Sequence, residues 1–396
     1  MNKKTIRDID VSGKRVLVRV DFNIPMKDGA IRDVTRITKA LPTLNYLIEH
    51  KAKIILLTHL GRPKGKFRPE YSVRPVAEYL GKVIKQEILC AADCGGKESR
   101  DLVDRMQPGQ VILLENTRFC PGEEENSPEL SRCFAGLGEI YVNDAFGAAH
   151  RAHSSTEGIA HFLPAVSGFL MEKEILALSG LLERAEPPFL AILGGAKVSD
   201  KITVIRSLFK RVDMLVIGGG MANTMLKAAG YDMGKSRIEK EALSEAKKII
   251  DDAQKAGIPL LLPKDVVAAR EFKAEAEPLI CAVDKIPADH MALDIGPKTI
   301  AGYTQMIEKA RTIFWNGPLG VYEFAAFAEG TNRIAQAAAV SKAKTVIGGG
   351  DVVAAVERAG LADEFYHIST GGGASLEFLE GRKLPGLEAL LEREES

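Results

Sequence analysis

The chain has 396 residues, a length that exceeds one comfortable hydrophobic core and predicts two domains. Lys and Arg together number 53, and so do Asp and Glu, so the net charge is zero and any positively charged site must be local. This balance argues against nucleic-acid or membrane binding through overall charge. No charge-free apolar run is long enough to span a bilayer, and the N-terminal residues lack the apolar core of a signal peptide. With five cysteines, the composition favours a reduced, cytoplasmic α/β protein.

Strands and helices alternate in the first half of the chain. Runs rich in β-branched residues predict strands, and helical patterns at 36–49 and 73–84 lie between them. The predicted strands are 16–20, 53–58, 111–114 and 140–142. Alternation of this kind predicts a parallel sheet with right-handed crossovers.

Polar and basic residues follow these strands where each strand ends. They are Asp21 and Asn23, then His59 and Arg62, then Arg118, then Arg151, while Arg36 opens the first helix. Because the carboxyl ends of parallel strands meet at one edge, we expect these side chains to share a pocket. Arginine binds carboxylate and phosphate through a bidentate fork, so the pocket suits a small, multiply anionic ligand whose hydroxyl groups contact Asp21 and Asn23. A lone arginine is more often a solvated surface residue, and only the joint placement favours a site.

A helix predicted at 169–184 separates the two halves of the chain. It ends before Pro187 and Pro188, which cannot continue a helix. We interpret it as the connector between domains, although a helix packed inside one domain fits the same pattern.

Apolar strands followed by glycine or proline turns fill the second half. They are predicted at 190–193, 214–217, 259–262, 291–295, 312–315, 345–347 and 365–368. Near-continuous apolar strands are typical of a parallel sheet covered by helices on both faces. The triple glycines at 218–220, 348–350 and 371–373 would present bare backbone to a flat base and a phosphate chain. Each of them could equally serve only to permit a tight turn.

The stretch 190–201 is the most specific local feature. A strand breaks at Gly194 and Gly195 and leads toward a helix that carries Lys197 and Lys201. If the helix begins here, the i, i+4 spacing places both lysines on one face, beside the N–H groups of a helix N-terminus. Such a site suits a nucleotide polyphosphate, and the alternative is an ordinary turn with two solvated lysines. No P-loop or Gly-x-Gly-x-x-Gly motif follows a strand, so a standard dinucleotide site is not expected.

Motifs in the same order along essentially the whole chain resemble those of the phosphoglycerate kinase family. They are RVDFNIP at 19–25, THLGRP at 58–63, ENTRF at 115–119, AHRAHSS at 149–155, GGAKVSDK at 194–201, NGPLGVYE at 316–323, GGGD at 348–351 and TGGGAS at 370–375. The resemblance implies an α/β fold of two doubly wound parallel-sheet domains that face each other across a cleft and are joined by a helix. Residues 1–168 would bind phosphoglycerate and be joined by the C-terminal peptide 384–396. Residues 169–383, including the helix 169–184, would bind nucleotide.

The resemblance also implies a reaction and its residues. A cytoplasmic, hinge-bending monomer would transfer the acyl phosphate of 1,3-bisphosphoglycerate reversibly to ADP with Mg²⁺, giving 3-phosphoglycerate and ATP in glycolysis and gluconeogenesis. Phosphoglycerate would be held by Asp21, Asn23, Arg36, His59, Arg62, Arg118 and Arg151. Nucleotide would be held by Lys201, Gly296, Glu323, Gly350, Asp351, Val352 and Val353, with Glu323 on the ribose and Asp351 toward the metal. The catalytic groups would be Arg36, Lys197 and the N–H groups of Gly371, Gly372 and Gly373.

Two other classes of function are weighed against the kinase. A dehydrogenase on a doubly wound sheet is disfavoured by the missing dinucleotide motif, and NAD(H) binding would test it. A nucleic-acid binder that uses the arginine-rich edge is disfavoured by zero net charge, and a steep salt dependence of oligonucleotide binding would favour it.

Overall fold

The computed structural model describes residues 2–27 and 29–393, which form two compact units. The first unit contains the chain up to Leu176 and again from Lys383, and the second contains Ala177–Arg382. No helix in the described part of the chain is both long and apolar enough to cross a bilayer.

The first unit is built on a parallel sheet. The strands of this unit are β1 (Arg15–Val20), β2 (Met26–Lys27), β3 (Ala30–Ile31), β4 (Lys53–Leu57), β5 (Ile88–Cys90), β6 (Val111–Leu113), β7 (Ile140–Asp144) and β8 (Ala165–Ser167). Of these, β2 and β3 form a separate antiparallel pair. The six-stranded sheet has the order β5-β6-β4-β1-β7-β8, and every pair in it is parallel. The four strands predicted from the sequence are its central members. The sequence analysis did not predict the edge strands β5 and β8, which have three residues each.

Helices connect the strands of this sheet. They are α1 (Thr35–Glu49), α2 (Arg74–Ile84), α3 (Lys97–Asp104) and α4 (Pro128–Ala135), while α5 (Phe169–Glu183) follows the last strand, β8, and leads to the second unit. In α1 the buried residues Ile37, Ala40, Leu44 and Leu47 recur at helical spacing, which gives the helix one apolar face. The predicted connector helix is α5, and the division between the two units falls inside it.

The second unit contains two sheets. Its strands are β9 (Phe189–Leu193), β10 (Met214–Ile217), β11 (Leu260–Leu261), β12 (Asp265–Ala269), β13 (Leu279–Ala282), β14 (Met291–Ile295), β15 (Thr312–Asn316), β16 (Lys344–Gly348) and β17 (His367–Ile368). Six of them form a parallel sheet in the order β11-β10-β9-β15-β16-β17. Two parallel six-stranded sheets with helices confirm the predicted α/β fold class.

One strand of the second unit does not lie where the sequence predicted. The run 291–295 forms β14, but it pairs antiparallel with β12 in a separate sheet of order β13-β12-β14. The prediction that it joins the parallel sheet is therefore wrong. An apolar run identifies a buried strand, whereas its partner and direction depend on neighbours that the pattern does not specify.

Helices α6 to α12 complete the second unit. They are α6 (Ile202–Leu208), α7 (Gly219–Ala228), α8 (Leu243–Lys255), α9 (Pro297–Lys309), α10 (Glu329–Val340), α11 (Gly350–Arg358) and α12 (Gly373–Leu379). The core beneath them includes Trp315, Ile192, Val216 and Ile347, each with no exposed surface. Strands with such fully buried side chains are expected in a parallel sheet.

The last part of the described chain returns to the first unit. It forms α13 (Pro385–Glu388), in which Leu387 is fully buried. The N–H of Leu391 donates to the carbonyl oxygen of Ala165 (2.9 Å), and the amide of Asn143 donates to the carbonyl oxygen of Gly386 (3.0 Å). Both ends of the described chain therefore stabilise the same unit.

A buried carboxyl group in β14 is a titratable element of the second unit. Asp294 accepts hydrogen bonds from the N–H of Gly330 (2.7 Å) and from the N–H of Ile295 (2.8 Å). Burial raises the pKa of Asp294 to about 7 because the charged form loses its hydration.

Replacing Asp294 with Asn should therefore flatten the pH dependence of stability below neutrality. The folded protein keeps the Asp294 proton up to about pH 7, whereas an unfolded aspartate releases it near 3.8. Wild-type stability consequently falls as pH rises between these values, while the amide of Asn cannot ionise. As pH rises through this window, the free energy of unfolding of the wild type should fall relative to that of the variant by up to about 1.4 kcal/mol per pH unit. Urea unfolding at several pH values in this window measures the shift, and a constant difference would contradict the raised pKa.

Candidate functional site

A cluster of guanidinium groups surrounds His59 at the carboxyl edge of the first sheet. His59 follows β4 and is 4% exposed. Desolvation and the charges of Arg19, Arg118, Arg151 and Arg36 hold the pKa of His59 well below its usual value. The imidazole is therefore neutral at neutral pH and lies where these four side chains converge.

Arg36 joins this cluster from the first turn of α1. Its guanidinium donates to Oδ2 of Asp21 (2.8 Å) and to the carbonyl oxygen of Asn23 (3.1 Å). The side-chain oxygen of Asn23 in turn accepts from the N–H of Gly61 (2.9 Å). Asp21 and Asn23 thus fix Arg36 and the loop after β4, and contacts of Asp21 and Asn23 with ligand hydroxyl groups stay a prediction.

Arg118 and Arg151 follow β6 and β7. Asn116 accepts from the N–H of Arg118 (3.1 Å), and the Arg118 guanidinium donates to the carbonyl oxygen of Gly61 (2.7 Å) and lies 3.1 Å from a carboxylate oxygen of Glu124. Burial is the main cause that lowers the pKa of Arg118. Arg151 donates through Nε to Nε2 of His150 (3.1 Å).

Arg62 is the least enclosed of the predicted arginines. It lies at the same strand end as His59, three residues further along the chain, and its side chain is exposed.

Arg19 is a member of the cluster that sequence analysis missed. It lies inside β1 with no exposed surface, and it donates to Oγ of Ser155 (2.9 Å) and, through Nη2, contacts Nδ1 of His59 (2.9 Å). Because a guanidinium only donates, Nδ1 of His59 accepts and Nε2 carries the ring proton. The available signal was an arginine within an otherwise apolar strand, since a buried charge requires partners.

In the second unit, the carboxyl ends of β10, β9, β15, β16 and β17 lie side by side. A pocket of about 440 Å³ opens at this edge. Its lining includes the glycine-rich residues Gly195, Ala196, Gly219 and Gly220, the apolar residues Phe272, Met291, Leu293 and Val321, and the carboxylates Glu323 and Asp351. Glycine backbone and apolar side chains at one edge suit a flat ring, and the carboxylates could accept from hydroxyl groups or bind a cation.

Several of the glycines are needed for contacts between loops. A Cβ atom on Gly194 would lie 2.1 Å from the carbonyl oxygen of Pro318. A Cβ atom on Gly219, whose φ is +66°, would lie 2.9 Å from the nitrogen of Gly195. At Gly372 and Gly373, by contrast, a Cβ atom would meet nothing within 4 Å. The backbone at Gly372 and Gly373 therefore has room beside it, whereas Gly194 and Gly219 are required by neighbouring backbone.

The two lysines do not share a helix face, and the expectation that they would is wrong. A 3₁₀ helix covers Ser199–Lys201 and α6 begins at Ile202, so Lys197 precedes both helices and is exposed. Lys201 is 8% exposed, and its ammonium group donates to the carbonyl oxygens of Gly194 (2.7 Å) and Asn316 (2.8 Å). It thereby links the ends of β9 and β15, and burial lowers its pKa to about 8.

The helix N-terminus that was expected to bind phosphate is already satisfied by a carboxylate. Glu239 Oε2 accepts from the N–H groups of Val198 (2.6 Å) and Ser199 (3.1 Å), and Oε1 accepts from the Ser199 hydroxyl (2.6 Å). These N–H groups are therefore not open to a ligand. Glu239 lies some 40 residues further along the chain, so no local pattern could reveal it.

The remaining nucleotide-site predictions fall at two helix starts. Gly350, Asp351 and Val353 lie in the first turn of α11, while Val352 in the same turn is fully buried in the core. Gly296 precedes α9, donates its N–H to the carbonyl oxygen of Asp265 (2.9 Å) and does not line the 440 Å³ pocket.

Metal-binding capacity in the second unit rests on few protein ligands. Across residues 2–27 and 29–393, no group of three or more His, Cys, Asp or Glu side chains is arranged to hold a metal ion. Mg²⁺ commonly binds one or two carboxylates together with substrate phosphates and water. The exposed carboxylate of Asp351 fits that mode, because it lines the pocket beside the glycine-rich backbone.

Known proteins resemble this chain over nearly its whole length. The family model described as phosphoglycerate kinase matches residues 6–382. The phosphoglycerate kinase of Moorella thermoacetica is 54% identical over 393 residues, which cover 99% of this chain and 100% of that protein. The phosphoglycerate kinase of Chloroflexus aggregans is 54% identical over 400 residues and the match covers 100% of both chains.

Solved structures agree with these relatives. Phosphoglycerate kinase from Coxiella burnetii has a TM-score of 0.89 and 42% sequence identity, and the match covers 98% of both chains. The enzyme from Pyrococcus horikoshii has a TM-score of 0.86 and 33% identity, with the same coverage. On its sequence, its fold and the clustering of its arginines, the chain belongs to the phosphoglycerate kinase family.

Proposed function

We propose that the phosphoglycerate kinase reaction of this chain is divided between its two units. The acyl phosphate of 1,3-bisphosphoglycerate is transferred to ADP, giving 3-phosphoglycerate and ATP, and the reaction is reversible. The first unit binds the phosphoglycerate and the second binds the nucleotide. The observation that carries this assignment is the convergence of four guanidinium groups on a neutral His59 in a chain of zero net charge.

The arginine cluster suits a ligand with both a phosphate and a carboxylate. Arg118, Arg151 and the exposed Arg62 supply charge-assisted hydrogen bonds to these anionic groups. His59 contributes an N–H donor from Nε2 without adding a charge, since Nδ1 is occupied by Arg19. Asp21 and Asn23 hold Arg36 in place and contact the hydroxyl group of the ligand.

The nucleotide binds the pocket of the second unit with its base in the apolar part and its phosphates near Asp351. Its base lies in the apolar part near Phe272, Met291 and Leu293, and Glu323 accepts from the ribose hydroxyl groups. Asp351, at the start of α11, would hold Mg²⁺ together with the phosphates. The ion would neutralise part of the phosphate charge. Lys201 holds the nucleotide at the same sheet edge, where its ammonium group links the ends of β9 and β15.

Catalysis needs no general base in the direction that consumes ATP. The attacking group is a carboxylate, which is already ionised at neutral pH. A bond forms between the carboxylate oxygen and the γ-phosphorus as the bond to the ADP oxygen breaks, and the electron pair leaves with ADP. Arg36, Lys197 and the N–H groups of 371–373 stabilise the charge on the transferring group. Both substrates must meet for transfer, so we propose that the units close by a hinge motion, in a cytoplasmic monomer.

Purified protein should consume ATP only when 3-phosphoglycerate and Mg²⁺ are both present. A coupled assay that monitors ADP release measures this requirement. Its two controls omit 3-phosphoglycerate or add EDTA. Folded protein that shows no turnover with both present would falsify the kinase assignment. Turnover that persists in EDTA would contradict the role of Mg²⁺ but not the kinase assignment.

Replacing Arg36 with Ala should lower kcat by about 100-fold or more while leaving ADP affinity nearly unchanged. The reason is that Arg36 belongs to the first unit and acts on the transferring phosphoryl group, so its loss is felt in the transition state. Steady-state kinetics and ADP titration separate the two effects. Arg32→Ala, at an exposed arginine nearby, is the matched control. A large loss of ADP binding in Arg36→Ala would remove Arg36 from this role.

Replacing Lys197 with Ala should reduce kcat by at least about 100-fold in a protein that still folds. Lys197 is exposed, so its truncation removes a charge near the phosphates without opening a cavity in the core. Circular dichroism and thermal unfolding verify the fold. Lys210→Ala, an exposed lysine of the same unit, controls for a general change of charge. An unchanged kcat would show that Lys197 takes no part in transfer.

A further inference from the structure

Lys197 lies on a short stretch of chain that is held at both ends. On its N-terminal side, the N–H of Gly194 donates to the carbonyl oxygen of Asn316 (2.9 Å), and the N–H of Gly195 donates to that of Pro318 (2.8 Å). On its C-terminal side, the backbone at Val198 and Ser199 is bound by Glu239. Ala196 and Lys197 therefore span the gap between two fixed points.

Glu239 is the side-chain anchor of the backbone at Val198 and Ser199. Its carboxylate binds two N–H groups and one hydroxyl group, all within 3.1 Å. It is a capping carboxylate supplied from another part of the chain, since it satisfies N–H groups at the start of the 199–208 helical segment. Such a cap also compensates the positive end of the helix dipole.

Glu239 is itself fixed on its own side. Its N–H donates to Oγ1 of Thr224 (3.1 Å), a fully buried residue of α7. Its carbonyl oxygen accepts from the N–H of Ala242 (3.1 Å), which closes a 3₁₀ helix. The Val198–Ser199 backbone is thus linked through Glu239 to α7.

The charge on Glu239 also acts on Lys197. Burial raises the pKa of Glu239, but hydrogen bonds from Ser199 and Val198 and the nearby Lys197 charge outweigh it and lower the pKa. The carboxylate is therefore ionised at neutral pH and attracts the Lys197 ammonium group. Glu239 does not line the 440 Å³ pocket, so it reaches the loop without contacting the ligand space.

We infer that Glu239 is a positioning residue for phosphoryl transfer: it fixes the loop that carries Lys197. The inference rests on the proposed catalytic role of Lys197. Precise placement is valuable because a shift of about 1 Å in a catalytic group can cost about 100-fold in rate. Removing Glu239 frees the Val198 and Ser199 N–H groups and releases the loop between Gly195 and α6.

The test compares Glu239→Ala with Glu239→Gln in the full-length protein. The alanine variant should lose about 10- to 100-fold in kcat, with the KM for 3-phosphoglycerate changed by less than about threefold. Glutamine keeps an oxygen for the two N–H groups and should restore most of the lost kcat. Glu241→Ala, an exposed glutamate of the neighbouring 3₁₀ helix, should behave as wild type.

A second comparison separates positioning of Lys197 from general loss of structure. In a Lys197→Ala background, Glu239→Ala should cause little further loss of kcat, because the group that it positions is already absent. If the two losses multiply, or if wild-type kcat survives in Glu239→Ala, the positioning role is overturned. If Lys197→Ala itself keeps full activity, the proposed role of Lys197 fails instead, and the two failures are thus distinguishable.

Discussion

Parallel pairing of the strands is the constraint on which the site residues of both units depend. In each parallel sheet every strand ends at the same edge, so residues far apart in sequence are delivered to neighbouring positions. Because β6, β4, β1 and β7 are adjacent, Arg118, His59, Asp21 and Arg151 approach one another although they lie up to 130 residues apart. In the second unit, β10, β9, β15 and β16 likewise bring glycine-rich turns and Asp351 to one pocket.

Concentrating positive charge at such an edge carries an electrostatic cost, which the first unit reduces with neutral and acidic partners. Guanidinium groups repel one another most strongly where water is excluded. Asp21 pairs with Arg36, Glu124 lies beside Arg118, and the pKa of His59 falls so that the imidazole adds no charge. Arg19 is fully buried, but its donors are used by Ser155 and His59. The charge of the arginine cluster is therefore partly compensated inside the first unit.

In the second unit, the two lysines of the 194–201 motif have different environments. Lys201 is enclosed by backbone carbonyl oxygens and joins two strand ends, while Lys197 is exposed on a loop held by Glu239. The same motif thus contains one ammonium group that is buried against backbone carbonyl oxygens and one that is exposed. Close packing of Gly194 and Gly219 against neighbouring backbone explains why glycine is required there even before a ligand is considered.

The sequence by itself determined the alternation of strands and helices, the two parallel sheets and the residues at most strand ends. Those features depend on local patterns, namely apolar periodicity and the residues that terminate it. It also determined the family, since the motifs extend over nearly the whole chain.

The tertiary structure alone decided which groups face one another. It placed β14 in an antiparallel sheet, separated Lys197 from the start of α6, buried Lys201 and brought Glu239 to the Val198 and Ser199 N–H groups. It also revealed Arg19 as the partner of His59. Each of these outcomes is set by contacts between segments distant in sequence, where burial and hydrogen-bond satisfaction, not local periodicity, select the partner.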